Sequence, residues 1–116
     1  MKREFVMTEW FDSSWKDMRL SDADLRELQT ELLREPTAGT VMQSCGGFRK
    51  IRSALEGRGK SGSIRVIYLD IPEFEVLYLT LAYPKSEKDS LTDSEKKELK
   101  VIAANIKQNL RQKYGG

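Results

Sequence analysis

The stretch SIRVIYLDIPEFEVLYLTLAY, residues 63–83, holds two apolar runs separated by the short break Pro72-Glu73-Phe74-Glu75. Both runs are rich in β-branched, aromatic and leucine residues, a composition that suits a pleated surface. A break this short has no room for a crossover helix, so the two runs predict neighbouring antiparallel strands. Each run is apolar on both faces, which places the pair at the centre of a sheet, with helices expected on one side.

Working outward, Phe48 to Ser53 reads as a third strand, joined to the first of the pair by Glu56-Gly57-Arg58-Gly59-Lys60-Ser61-Gly62. The glycine pattern in that joint is a poor dinucleotide signature, because it lies between two strands and does not open a helix. Phe5 and Val6 suggest a short first strand. Ser21 can cap a helix with Asp24 closing the capping box and Leu20 stapling onto Leu25; Leu25, Leu28 and Leu32 then share a face until Pro36 stops the helix. Trp10, Phe11, Trp15 and Met18 lie upstream at helical spacing, expected to pack on that face. Thr92 and Glu95 form a second capping box, and Leu99, Ile102, Ala103, Ile106 and Leu110 continue a helix of about twenty residues that should end before Gly115-Gly116.

At 116 residues the chain is read as one domain spanning 1–116. No segment has the ~18 consecutive apolar residues of a membrane span, and Met1-Lys2-Arg3 opens no signal-peptide pattern, so a cytoplasmic protein is expected. The lone Cys45 excludes an internal disulfide and a thiolate-rich metal site. Histidine is absent, which removes the commonest general acid/base and zinc ligand; any chemistry falls to Lys, Arg, Asp, Glu or Tyr. No metal and no cofactor are expected.

The net charge of +2 hides a sharp segregation. Residues 46–68 carry six bases and one acid, whereas residues 1–45 carry six bases and nine acids. A focused basic surface of this kind attracts phosphate. Side chains alternate across a strand, so Lys50 and Arg52 share a face, about 6.5–7 Å apart, while Arg49 points the other way beside Ile51. Arg65 enters from the next strand, where it interrupts an apolar run; it is either part of a phosphate site or half of a buried ion pair. Arg58 and Lys60 follow on the glycine-rich joint, and Lys85 and Lys88 lie after the last strand.

Gly46-Gly47-Phe48-Arg49-Lys50-Ile51-Arg52, then Gly59-Lys60-Ser61-Gly62, Ile64-Arg65-Val66-Ile67-Tyr68, and Leu81-Ala82-Tyr83-Pro84-Lys85 running on to Thr92 resemble, in that order, the HigB type of the RelE toxin superfamily. The resemblance covers roughly residues 20–100. It implies an α+β fold, with N-terminal helices packed on a small twisted antiparallel sheet and a C-terminal helix. It also implies a bacterial type II toxin that cuts messenger RNA on the ribosome and is neutralised by a HigA-type helix-turn-helix antitoxin, through which alone operator DNA is contacted. No membrane partner is implied.

Carried over, the family's catalytic positions fall at Lys50, Arg52, Arg65 and Lys85, with Arg49, Arg58, Lys60 and Lys88 as RNA-binding positions. One departure is that the tyrosine RelE places near the start of its C-terminal tail corresponds to the region of Thr92. Attack of a ribose 2′-hydroxyl on its own phosphate chiefly requires stabilising charge on a pentavalent phosphorane, which fixed cations can supply. In this reading Lys50 is the candidate base, Arg52 and Arg65 clamp the phosphate, and Lys85 stabilises charge or donates a proton. Two alternatives stand beside it: a basic module that grips RNA or DNA without cutting, and an inactive toxin kept as an antitoxin-binding partner.

Overall fold

The computed structural model describes residues 2–53, 63–85 and 90–114. Along the chain these form β1 (Glu4–Met7), α1 (Glu9–Asp17), α2 (Asp22–Arg34), β2 (Thr40–Val41), β3 (Arg49–Ser53), β4 (Ile64–Ile71), a 3-10 turn at Pro72–Phe74, β5 (Val76–Pro84) and α3 (Asp93–Tyr114). The five strands make one sheet in the order β1-β5-β4-β3-β2. As the apolar runs predict, β4 and β5 are its antiparallel centre, and the turn between them is tight enough that Glu75 takes a left-handed backbone, φ 55°.

The sheet is antiparallel from β2 to β5, but β1 joins β5 in parallel, so the whole is mixed. The meander leaves the outer edge of β5 open. Lying on that edge sets Phe5 opposite Leu77 and Met7 opposite Leu79, which carries both apolar side chains into the core already formed there.

Helices cover both faces, correcting the one-sided arrangement expected from the sequence. One face of β4 and β5 (Ile64, Val66, Tyr68, Leu77, Leu79, Ala82) packs with Phe11 and Trp15 of α1 and Leu28 and Leu32 of α2. The other (Ile67, Leu69, Ile71, Leu81, Tyr83) packs with Cys45, Phe48 and the α3 stripe Leu99, Ala103, Ile106 and Leu110. Two central strands apolar on both sides require two covers, and the C-terminal amphipathic helix is the second.

Local sequence sets the helix starts. Ser21 accepts from the Asp24 amide while the Asp24 carboxylate accepts from the Ser21 amide, and Thr92 and Glu95 repeat this exchange at α3. Each such cap contributes about 1 kcal/mol. At α1 the cap is tied to the sheet. Thr8 Oγ1 accepts from the Phe11 amide and donates to the carbonyl of Thr80, at the point where the β4–β5 register shifts between Ile67 and Tyr68. Further along, the Ala82 amide donates to Ser14 Oγ. Beyond β1, then, α1 satisfies the backbone groups that the β5 edge would otherwise leave open.

Two polar contacts brace the α1–α2 side. Arg3 Nε donates to Asp70 Oδ1 at 2.7 Å, with side chains only 6% and 5% exposed. That hydrogen bond holds the Arg3 guanidinium still more firmly in its charged form. Tyr68 Oη donates to the Pro36 carbonyl and accepts from the Gly39 amide, fastening the segment after α2 to the middle of β4.

Candidate active site

The turn between β2 and β3 determines which way the cations face. Gly46 and Gly47 take φ values of 78° and 103°, a region that side chains other than glycine's rarely adopt, and the turn closes with the Met42 amide on the Phe48 carbonyl. Phe48 and Cys45 are anchored in the α3-side core, and Lys107 Nζ of α3 donates to the Gly46 carbonyl at 2.9 Å. With Phe48 on the α3 side, alternation along β3 sends Lys50 and Arg52 to that same face and Arg49, Ile51 and Ser53 to the other. Ile51 duly packs in the α1–α2 core, and Ser53 Oγ donates to Glu31 of α2.

Register then brings in the remaining strands. Arg52 lies directly opposite Arg65, and Arg65 directly opposite Tyr83, so these three form one rung across β3, β4 and β5. The rung behind it holds Thr40, Lys50, Ile67 and Leu81. The Lys85 amide donates to the Ser63 carbonyl, one ladder step past Pro84, which keeps Lys85 at the same end of the sheet. Arg65 sits between Ile64 and Val66, both of which point into the α1–α2 core, so it interrupts the run by facing the opposite way.

Lys50 and Arg65 are half-buried; Arg52 and Lys85 are exposed. Among the described residues none of these four side chains has a salt bridge or hydrogen bond to another. The buried-ion-pair alternative for Arg65 therefore finds no partner among them; the pair the fold does bury is Arg3 with Asp70, on the opposite face. Opposed like charges are unfavourable in a sheet. A surface that keeps Arg52 opposite Arg65 with no acid paired to either among the described residues is suited to an anion from outside, and the two pleat positions Lys50 and Arg52 can flank one phosphodiester.

Arg49 stands apart from this group. On the far face its Nη1 donates to the carbonyls of Gly39 at 2.8 Å and Thr37 at 3.3 Å, beside the Tyr68 knot. There it braces the segment between α2 and β2. Arg58, Lys60 and Lys88 lie outside the described residues. Thr92, where the family's tyrosine would fall, is engaged in capping α3.

One feature of the site has no counterpart in the sequence reading. A cleft of about 250 Å³ opens beside Lys50, between the β2 segment and the start of α3, and Lys96 lines it. A faint signal existed: Lys96 is three residues before Leu99, on the stripe that α3 otherwise buries.

The family model for the RelE toxin of the RelE/RelB toxin-antitoxin system matches residues 3–114. Among solved structures, the chain is similar to E. coli toxin RelE, a double arginine-to-alanine mutant in the free state, with 19% identity over 77% of this chain and 90% of that one and a TM-score of 0.50. At that identity the likeness is one of fold. Because the family match runs from β1 to the end of α3, across every strand that carries the cations, the chain belongs to the RelE toxin family.

Proposed function

We propose that this toxin, taking residues 1–116 as one domain, is a ribosome-dependent messenger RNA endonuclease of the HigB type, acting in the cytoplasm and silenced by a HigA-type antitoxin. Operator DNA would be reached only through that antitoxin. The observation that carries this reading is the rung Arg52–Arg65, with Lys50 one pleat repeat away, all on one face and without a carboxylate partner among the described residues.

The reaction that fits these groups is internal transesterification. The ribose 2′-oxygen attacks the adjacent phosphorus, its proton passes to the Lys50 amine, and the 5′-oxygen leaves with a proton from Lys85. Arg52 and Arg65 hold the non-bridging oxygens, whose charge grows in the transition state, and such preorganised donors are typically worth about 10²–10³ each in rate. Lys50, between β2 and β4 on a central rung, is positioned more rigidly than Lys85, which follows the end of β5.

The test is induced expression with and without the neutral variants Lys50→Gln and Arg65→Gln. The expected outcome is growth arrest with breaks mapped inside codons of translated messages, lost in both variants. Arrest that persists in both would remove the assigned chemistry. Intact messages together with retained RNA binding would instead favour a module that grips RNA without cutting, the reading the same basic face also supports.

A further inference from the structure

We propose that Lys50 is a site of covalent acylation by acyl phosphates: the phosphate end of the donor docks on the Arg52–Arg65 rung, and its acyl carbon is delivered to the Lys50 amine. Docking and transfer need no RNA. Only the consequence, a toxin silenced without its antitoxin, rests on the endonuclease reading.

Three features converge on this amine. It is free, since Lys50 makes no hydrogen bond or salt bridge among the described residues, whereas Lys107 donates to the Gly46 carbonyl at 2.9 Å. It also stands one pleat repeat, about 6.5–7 Å, from a rung of two arginines suited to an anion. An acyl phosphate is shorter than that repeat between phosphorus and carbonyl carbon, so a donor held at the rung brings its carbon within reach of the flexible lysine stem. Finally, Lys50 opens on the cleft of about 250 Å³, whose walls include the apolar Val41, Met42 and Leu91. Leu91 belongs to the α3-side core and gives the cleft a fixed wall, so a short apolar acyl chain has a place to lie. No described residue lining the cleft is acidic, which leaves the anionic donor unopposed. Lys97 and Lys100, exposed on α3, belong to no such rung.

In the transfer the uncharged Lys50 nitrogen attacks the carbonyl carbon. The C–N bond forms and the bond from that carbon to the bridging oxygen breaks. Phosphate leaves with the electron pair and takes up the proton that the nitrogen gives up; nothing is oxidised or reduced. The guanidinium groups that hold the donor also stabilise the charge on the departing phosphate. The product is a neutral amide, which can neither act as a cation on this face nor accept a proton from a ribose hydroxyl.

The experiment incubates the full-length chain with acetyl phosphate and follows each lysine by peptide mass spectrometry. Expected is acetylation of Lys50 at least about tenfold faster than of Lys97 and Lys100, the advantage of a docked donor over a freely colliding one. Inorganic phosphate should slow Lys50 where chloride at the same ionic strength does not, and Arg52→Met should bring Lys50 down to the rate of the two α3 lysines. The neutral donor N-acetoxysuccinimide should show no preference for Lys50. Acetylation of Lys50 no faster than of Lys97 overturns the proposal. So does a preference that the neutral donor shares, that phosphate leaves untouched, or that Arg52→Met and Arg65→Met both leave untouched, because the amine would then react without a docked phosphate. The chain acetylated at Lys50 should no longer cut messages on ribosomes, and continued cutting overturns the silencing. If the untreated chain cuts nothing, the endonuclease reading fails by itself and the labelling pattern still decides the acylation.

Discussion

Replacing Arg65 by methionine should make the protein more stable and less active. The substitution keeps an unbranched apolar stem where Arg65 is half-buried, and removes one charge from the pair that β3–β4 register sets face to face. Two unit charges about 6 Å apart at an effective dielectric of about 20 repel by roughly 3 kcal/mol, an upper bound that splayed side chains and water reduce. Opposed pairs on neighbouring strands contribute about 0.2–1 kcal/mol, and that is the gain expected here. With an unfolding entropy of about 2.1 cal/mol/K per residue, the gain corresponds to a rise in Tm of about 1–4 °C for this chain. Scanning calorimetry at 50 mM and 500 mM salt measures it, and the rise should shrink at high salt, where the repulsion is already screened. Cleavage, or growth arrest as its proxy, should fall about 10²-fold or more. A variant that is less stable than the parent at both salt concentrations would refute this picture, because it would mean that the guanidinium is satisfied within the fold.

Three further outcomes follow from the scaffold. Asp70→Asn strips a buried guanidinium of its counter-charge and should destabilise by about 3 kcal/mol in urea unfolding, while the double variant Arg3→Met/Asp70→Leu should recover most of that loss. Burial pushes the Tyr68 phenol above its ordinary 10.0, so its contribution to stability is intact below pH 10 and is lost as pH rises through the higher folded value. Tyr68→Phe should therefore make the alkaline fall seen by circular dichroism shallower, with the similarly raised Tyr78 still contributing to what remains. At neutral pH it should cost about 1–3 kcal/mol, because the Gly39 amide and Pro36 carbonyl lose their partner. Gly46→Ala adds a methyl 2.7 Å from the Ala103 Cβ at a left-handed φ of 78°, and thermal melts should show a loss of at least about 1–2 kcal/mol.

Those features of the fold that depend on neighbours in sequence were legible in it. Both capping boxes formed as read, because Ser21 with Asp24 and Thr92 with Glu95 complete their hydrogen bonds within four residues. Strand alternation was enough to separate Lys50 and Arg52 from Arg49 and to put Arg65 on the neighbouring strand, whereas the register that sets Arg52 opposite Arg65 came only from the pairing of β3 with β4. What stayed hidden was non-local. The parallel seat of β1 depends on an edge created about seventy residues later in the chain, and Arg3 and Asp70 are paired across a separation of 67 residues. That Arg49 serves the scaffold became visible only when the carbonyls of Thr37 and Gly39 were brought within its reach. The cleft eluded the sequence for the same reason, since its walls come from the β2 segment and the approach to α3.

The extra residue in β5 has its own implication. Ile67 pairs with Leu81 and Tyr68 with Leu79, so Thr80 is passed over and the two halves of the strand run in opposite phase. Without that threonine Leu81 would follow Leu79 directly, and plain alternation would keep Leu77, Leu79 and Ala82 toward α1 and Leu81 and Tyr83 toward α3, paired with the same residues of β4. The sheet therefore has no need of the extra residue for its own pairing; what Thr80 adds is a carbonyl pushed out of the ladder to receive Thr8 Oγ1, so the irregularity in β5 serves as the anchor for the first helix.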